Sequence, residues 1–298
     1  NTSYLNVDKI ASFTQRPQDV VGLHFFSPAN VMRLLEVVRA DATADDVVAT
    51  LMALGPKWGK TTVLAADTPG FLVNRVARSF YGESLRIREE GIADCATIDW
   101  AMRAVGGFRM GPFELMDFIG LDVNFAVTRS VFEGMFLDPR YRPSHAQQRL
   151  VEAGWLGRKS QRGFYDYREG AVPPPPHEDP ALAQRIVDRV LAMLVNEAVD
   201  AVHLQLASVQ DIELAMTTGV NYPRGLLQWG DEIGAPNVLA QLQVLQSETG
   251  DDRYRPSIRL RRAVQASLLA AKDPARSERL MAALDASNRR FGRGSVVI

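Results

Sequence analysis

The feature that most constrains this chain is that it repeats itself. Residues 73–120 laid on residues 187–234, an offset of 114 without gaps, give 12 identical pairs in 48, where average residue usage gives roughly three. The matches include Arg75/Arg189, Glu83/Glu197, Ile98/Ile212, Ala101/Ala215, Met102/Met216, Gly111/Gly225, Asp117/Asp231 and Gly120/Gly234. After a one-residue shift the match resumes, with Arg140-Tyr141-Arg142-Pro143-Ser144 against Arg253-Tyr254-Arg255-Pro256-Ser257. The spacing of apolar residues through both segments is helical. The chain is therefore expected to hold a duplicated helical domain, each copy packing its apolar face on the other. Glu83, Met102 and Asp117 recur in both copies and read as packing or capping residues.

Ahead of the repeat the pattern is α/β. Residues 20–26 and 34–38 are short apolar runs, as in buried strands. Residues 42–54 have helical spacing with Asp45 and Asp46 near the start, where a helix favours acids. Residues 61–66 predict another strand. Strand, helix and strand without hairpin turns describe the tail of an open α/β sheet. Thr68-Pro69-Gly70-Phe71 is a helix-start signal, and a long helix is expected from about residue 71 to 90. Residues 171–180 contain four consecutive prolines, Pro173 to Pro176, which favour an extended spacer. The expected divisions are 1–66, 67–170, a Pro-rich linker at 171–180, and 181–298. The charged, helical-looking stretch 276–290 has no counterpart in the first copy and no assigned role.

The charge balance excludes some partners. The 34 Lys+Arg against 35 Asp+Glu leave a net charge of −1, which favours neither nucleic acid nor an anionic membrane. Arg259, Arg261 and Arg262 read as a solvated helix face. No apolar run approaches the ~20 residues that span a bilayer, and no signal peptide is visible. The single cysteine, Cys95, rules out an internal disulfide, and a reducing cytoplasm is the default. It sits in an apolar stretch and reads as a buried small residue. The chain opens Asn1-Thr2-Ser3 without Met and is expected to be a fragment or a processed product.

Several kinds of chemistry are missing. No G-x-G-x-x-G follows a strand, so there is no dinucleotide-binding turn, and there is no phosphate loop. The four histidines have no paired metal-ligand spacing. His177 is in the linker, His145 in a charged stretch, and His203 on the edge of a helix face. His24 differs, because it lies in an apolar strand ending at the turn Ser27-Pro28. Twelve residues on, Glu36 interrupts the apolar run Leu34-Leu35-Glu36-Val37-Val38. A carboxylate there is costly unless paired, and a buried imidazole needs a partner too. If the strands are neighbours, Glu36 accepts from His24. Spacing alone leaves two readings open, a structural buried pair and a catalytic dyad.

At these residues the chain resembles the 3-hydroxyacyl-CoA dehydrogenases, of the bacterial type with two C-terminal helical domains. Asn1-Thr2-Ser3 is similar to the family's Ser-Asn-Thr-Ser segment. Gly22-Leu23-His24-Phe25-Phe26 and Leu34-x-Glu36-Val37 are similar to its His/Glu motif. Thr68-Pro69-Gly70-Phe71-x-Val73-Asn74-Arg75 is similar to its domain junction, and Gly111-Pro112-Phe113-Glu114-Leu115-x-Asp117 to its helical-domain signature. Gly157-Arg158-Lys159 with Gly163-Phe164-Tyr165-Asp166-Tyr167 is similar to its closing motif. Asn221-Tyr222-Pro223-Arg224-Gly225 and Trp229-x-Asp231 repeat the signature. The resemblance runs from residue 1 to about residue 260. It implies the remnant of a Rossmann-type sheet (1–66) followed by two helical C-terminal domains, hence mixed α/β and then all-α.

The resemblance also implies a reaction: oxidation of a 3-hydroxyacyl-CoA to the 3-ketoacyl-CoA with NAD as hydride acceptor, in fatty-acid or phenylacetate-type degradation. His24 is then the base for the alcohol proton, a task that suits an imidazole at neutral pH. Glu36 orients the ring, Ser3 and Asn74 hold the substrate oxygen, and Lys159 and Ser27 lie toward the cofactor. Ser27 stands where the family usually has Asn, and offers fewer hydrogen bonds than an amide. Asn74 is matched by Asp188, and the second copy lacks the Gly-Phe-Tyr closure, so that copy reads as structural, a built-in mimic of a dimer partner. The acyl-CoA substrate is the expected partner, with self-association through the helical domains a second. Without a glycine-rich turn the isolated chain is expected to show little activity. An inactive helical assembly, and an acyl-CoA-binding fragment whose nucleotide half is elsewhere, are the alternative readings. A CoA-independent hydroxy-acid dehydrogenase is disfavoured by the duplication.

Overall fold

Strand β2 (Leu34–Arg39) is buried along all but its last residue, because both of its edges and both of its faces are covered. On one side it pairs antiparallel with β1 (Gly22–Phe25), and on the other in parallel with β3 (Thr61–Ala66), in the order β1-β2-β3. The structure is a computed structural model that describes residues 1–3 and 5–272, with side chains described to residue 265. The stretch 276–290 lies outside the described residues. Ahead of the sheet, α1 (Val7–Ala11) is capped by Asn6, and the Asp67 carboxylate accepts from the Val7 and Asp8 N–H groups. Helix α2 (Asp45–Lys57) makes the crossover that a parallel β2–β3 pair requires.

The sheet is mixed. β1 and β2 run antiparallel although a long connection, residues 26–33, joins them rather than a tight turn. Alternation along β2 assigns its faces. Leu35 meets α2, where a Cβ on Gly55 would stand 2.1 Å from Thr62 and 3.5 Å from Leu35. Leu34 points the other way, toward Gly219 of the second helical copy, where an added Cβ would lie 2.3 Å away. Glu36 shares Leu34's face and so looks toward the helices.

The repeat appears in the structure element by element. The first copy is α3 (Val73–Val76), α4 (Arg78–Glu89), α5 (Cys95–Ala104), α6 (Pro112–Ile119), α7 (Leu121–Gly134) and α8 (His145–Glu152). The second is α9 (Pro180–His203), α10 (Val209–Gly219), α11 (Leu226–Ile233), α12 (Ala235–Thr249) and α13 (Ile258–Lys272). The one long helix expected from residue 71 is two. Gly70 and Phe71 have φ of 81° and 49°, so helix begins only at Val73. It is interrupted at Ala77, where the Arg78 side chain donates from Nε to the Asn74 carbonyl at 2.8 Å. That carbonyl is the one the Arg78 backbone N–H would take in an unbroken helix. In the second copy the same span is continuous in α9. Gly120 and Gly234 take φ of 102° and 88° between corresponding helices, a conformation that keeps both positions glycine.

The copies bury their apolar faces in one common core, and α9 lies against α4 and α5 at its centre. Reciprocal charge clusters lock the crossing. Glu197 of the second copy accepts from Arg75 Nε at 2.8 Å, from the Tyr141 hydroxyl at 2.5 Å and from Arg140 Nη1 at 3.3 Å. Glu83 of the first copy accepts from Arg189 Nε at 2.6 Å and from the Tyr254 hydroxyl at 2.6 Å, with Arg253 at 3.7 Å. Both glutamates are buried. Glu83 is thus more than a packing residue: each copy inserts an Arg and a Tyr onto the other's Glu, the self-complementary pattern of a two-fold interface. No helix among the described residues is long and apolar enough to cross a membrane.

Removing one partner of such a cluster strands the opposite charge. Glu197→Ala is expected to lower the unfolding free energy by about 3–5 kcal/mol, and Glu83→Ala by a similar amount. Urea midpoints of the two variants check this; a loss confined to one of them would contradict the reciprocity.

Candidate active site

His24 and Glu36 are direct register partners across β1 and β2, on the face turned toward the helices. The imidazole Nδ1–H donates to Glu36 Oε2 at 2.5 Å. The other carboxylate oxygen, Oε1, accepts from the backbone N–H groups of Leu72 at 3.2 Å and Val73 at 2.8 Å. These donors sit at the start of α3, where a helix leaves its first N–H groups without intrahelical partners. The carboxylate is 0% exposed, so several kcal/mol of desolvation cost must be offset by these three donors. His24 is 5% exposed. Its ring is wedged between Phe26, at a centroid distance of 4.5 Å, and Phe71 at 5.8 Å. The backbone turn at Phe71 brings its ring against His24.

With Nδ1 committed to Glu36, the imidazole has Nε2 left over. Among the described residues Nε2 has no hydrogen-bond partner. A buried neutral imidazole held this way presents a lone pair to whatever enters the site, and its tautomer is set by the carboxylate behind it.

The remaining expected residues divide. Residues 1–3 run beside β1, where the Thr2 N–H donates to the Leu23 carbonyl at 2.9 Å and the Phe25 N–H to Asn1 Oδ1 at 2.8 Å. Ser3 is half-buried in this segment and accepts from Asn1 Nδ2 at 3.2 Å. Asn74 follows Val73 directly on α3. It is half-buried, and its side-chain amide has no partner among the described residues. Ser3 thus lies in the segment paired beside β1, and Asn74 next to the Val73 N–H that Glu36 accepts; neither side chain hydrogen-bonds the His24–Glu36 pair among the described residues. Ser27 is exposed in the turn after β1. Lys159 is exposed in a turn, where its ammonium donates to Asp122 at 2.7 Å.

Other residues of the closing motif are held by two acids, Asp117, which the sequence showed only as recurring, and Asp99, which it did not single out. Asp117 accepts from the N–H groups of Phe164 at 3.0 Å and Tyr165 at 2.9 Å, and Asp99 accepts from the Tyr165 hydroxyl at 2.7 Å. Gly163 lies so close that a Cβ would stand 2.1 Å from Asp117 Oδ1. Burial pushes the Cys95 thiol up to about 12, which makes it an inert residue at the start of α5.

Comparison with known proteins agrees with this architecture. The NAD-binding domain of 3-hydroxyacyl-CoA dehydrogenase matches residues 1–68, and the C-terminal domain of the same enzyme matches twice, at 70–167 and 186–277. A 3-hydroxyadipyl-CoA dehydrogenase of Escherichia coli is 37% identical, across 88% of this chain and 73% of that protein. A probable 3-hydroxybutyryl-CoA dehydrogenase of Bacillus subtilis is 44% identical across 57% of this chain, which spans 58% of that relative's length. The crystal structure of a 3-hydroxybutyryl-CoA dehydrogenase from E. coli superposes with a TM-score of 0.82 at 37% identity, covering 91% of this chain and 75% of that one. A duplicated dehydrogenase helical domain set on the end of an α/β sheet is the class these features define. The chain belongs to the 3-hydroxyacyl-CoA dehydrogenase family. Its class is that of the NAD-dependent oxidoreductases acting on CoA-linked hydroxyacyl substrates. The residues present do not by themselves fit a dinucleotide: the chain has no glycine-rich turn between strand and helix to cradle a diphosphate, and Lys159 is engaged by Asp122.

The geometry makes Glu36 the determinant of the His24 tautomer. In Glu36→Gln the amide oxygen can keep the Leu72 and Val73 N–H bonds while its NH2 group donates to Nδ1, which moves the ring proton to Nε2. Long-range 15N–1H correlation spectra at neutral pH should show the Nδ1–H form in the wild type and the Nε2–H form in the variant. An unchanged His24 pattern would contradict the bond assignment.

Proposed function

We propose that this chain carries the proton-transfer machinery of a 3-hydroxyacyl-CoA dehydrogenase, with His24 as general base in the oxidative direction and general acid in reverse. The observation that supports this reading is the 2.5 Å bond from His24 Nδ1–H to Glu36, which leaves Nε2 without a partner among the described residues. A 3-hydroxyl placed against Nε2 gives up its proton there as C3 becomes a carbonyl. Glu36 holds the ring and stabilises the imidazolium that results. The Ser3 hydroxyl and the Asn74 amide hydrogen-bond the same oxygen and favour its carbonyl form. Phe26 and Phe71 keep water from the ring. NAD, where the family binds it, would accept the hydride from C3; the part of the reaction that falls to these residues is the proton.

In this reading residues 1–66 end a nucleotide-binding domain, 67–170 and 181–298 are the two helical domains, and 171–180 links them. The relatives' names supply two candidate acyl groups, 3-hydroxybutyryl and 3-hydroxyadipyl, both at home in cytoplasmic fatty-acid or aromatic catabolism. The interior two-fold between the copies stands in for a dimer interface, and self-association would use outer helical surfaces.

Acetoacetyl-CoA-dependent oxidation of NADH tests this in three proteins: this chain, the chain joined to a glycine-rich nucleotide-binding segment, and the joined protein carrying His24→Ala. Activity is expected in the joined wild type, with a loss of about 10²–10⁴-fold in the His24→Ala form. Full activity in His24→Ala removes the assignment of the base. No activity in the joined wild type favours a helical assembly or an acyl-CoA-binding fragment.

A further inference from the structure

Arg78 is a charged residue that the packing of the repeat does not explain. Its side chain is 7% exposed, and no carboxylate among the described residues pairs with it. Nε donates to the Asn74 carbonyl at 2.8 Å, and Nη1 donates to the Thr128 hydroxyl at 3.1 Å and to the Asn124 carbonyl at 3.5 Å. Nη2 has no partner among the described residues. A guanidinium buried with only neutral acceptors is poorly compensated, and burial accordingly lowers its pKa.

Two phenols stand beside it. The Tyr81 ring lies 4.9 Å from the guanidinium carbon. Tyr222, which reaches in from the second copy, is 5% exposed, and its hydroxyl is buried without a hydrogen-bond partner. Arg78 and Tyr81 are the two groups whose charges act on Tyr222. The Tyr81 hydroxyl has no partner among the described residues either. One guanidinium nitrogen and two hydroxyls, all donors, thus have no acceptor among the described residues, and of the three the Tyr222 hydroxyl is fully buried.

The repeat serves as an internal control. At the corresponding positions Arg78 is matched by Ala192, Tyr81 by Val195 and Tyr222 by Phe108. Those three positions are buried and apolar, so the fold of the unit has no need of the polar groups. Arg78 and Tyr81 stand on the copy that carries Asn74 and Tyr222 reaches them from the other, and Arg78 follows Asn74 by four residues across the break at Ala77. The 2.8 Å bond from Arg78 Nε to the Asn74 carbonyl keeps the guanidinium against the turn that carries Asn74.

We propose that Arg78, Tyr81 and Tyr222 form a subsite for the terminal carboxylate of a dicarboxylic acyl chain. This rests on the reading that Asn74 holds the 3-oxygen of an acyl-CoA. With carbon–carbon bonds of about 1.5 Å, a carboxylate roughly three carbons beyond C3 bridges the turn between Asn74 and Arg78. A carboxylate oxygen accepts a charge-assisted N–H bond from the remaining Nη2 and leaves lone pairs for the two hydroxyls. The phosphates of CoA lie on the thioester side of C3, away from the chain's free end, and are too bulky for a place this buried.

Isothermal titration of this chain with adipyl-CoA, hexanoyl-CoA and CoA, in the wild type, Arg78→Met and Tyr222→Phe, tests the subsite. The wild type is expected to bind adipyl-CoA at least about tenfold more tightly than hexanoyl-CoA, as a charge-assisted bond provides. That ratio should fall to near one in Arg78→Met and to an intermediate value in Tyr222→Phe. The Tm of Arg78→Met should equal or exceed the wild-type value, because an apolar side chain of similar length replaces an uncompensated charge. Equal wild-type affinity for the two acyl-CoAs overturns the subsite alone, as does a preference that survives in Arg78→Met. A preference already present for CoA over hexanoyl-CoA, or an Arg78→Met protein that fails to fold, overturns it too, the latter by making the guanidinium structural. No binding of any acyl-CoA overturns both the subsite and the proposed function.

Discussion

The Glu36 carboxylate is the interaction on which the rest of the site depends. It is fully buried in the central strand and compensated by three donors from two other elements: the His24 ring on β1 and the Leu72 and Val73 N–H groups at the start of α3. Because an unpaired charge there would cost several kcal/mol, the contact fixes several things together. It holds the β1–β2 register that sets His24 opposite Glu36. It roots the first helix of the repeat on the sheet. It also selects the imidazole tautomer, leaving Nε2 without a partner among the described residues. Docking of the helices and orientation of the base are therefore one event.

The duplication strengthens that arrangement from behind. Arg75 lies two residues beyond Val73 and is clamped by Glu197 and Tyr141 across the copy interface. Helix α3, short as it is, is thus pinned at its start by the sheet and on its flank by the second copy, which steadies Asn74 between them. Where the copies agree, as in Arg75/Arg189, Glu83/Glu197 and Tyr141/Tyr254, the shared residues build the interface. Where they differ, as in Asn74/Asp188, Arg78/Ala192 and the closing motif held by Asp117, the amide, the guanidinium and the motif belong to the first copy. In the proposed reading the second copy takes the place of a partner subunit and carries none of the proton-transfer residues.

Much of this was legible in the amino-acid sequence, for physical reasons. A repeat of 48 residues shows plainly because buried faces tolerate few substitutions, and strands β2 and β3 show as runs too apolar for any exposed element. Glu36 announced itself as a carboxylate in such a run. Its expected role beside His24 came through the family resemblance, since spacing alone favoured a structural pair. Other features were hidden. The antiparallel β1–β2 pairing follows a long connection, without the hairpin turn that signals it. Helix α1, five residues long, is too short to show a period. The break at Ala77 depends on a side chain taking a backbone acceptor, and two of the three donors to Glu36 are backbone groups, which no residue type reveals. Arg78 reads in sequence as an ordinary charge on an amphipathic helix; only its burial, and the apolar residues at the matching positions, set it apart. Lys159 was legible as a motif residue, while its engagement by Asp122 needed three dimensions.

The central claim is that Glu36 and His24 act as one unit. A double-mutant cycle in the joined, active protein tests it most directly, with kcat measured for the wild type, His24→Ala, Glu36→Gln and the double variant. If the carboxylate acts only through the ring, the double variant should lose no more than His24→Ala alone, a strongly non-additive result. Losses that multiply would show that Glu36 contributes independently of His24 and would contradict the account.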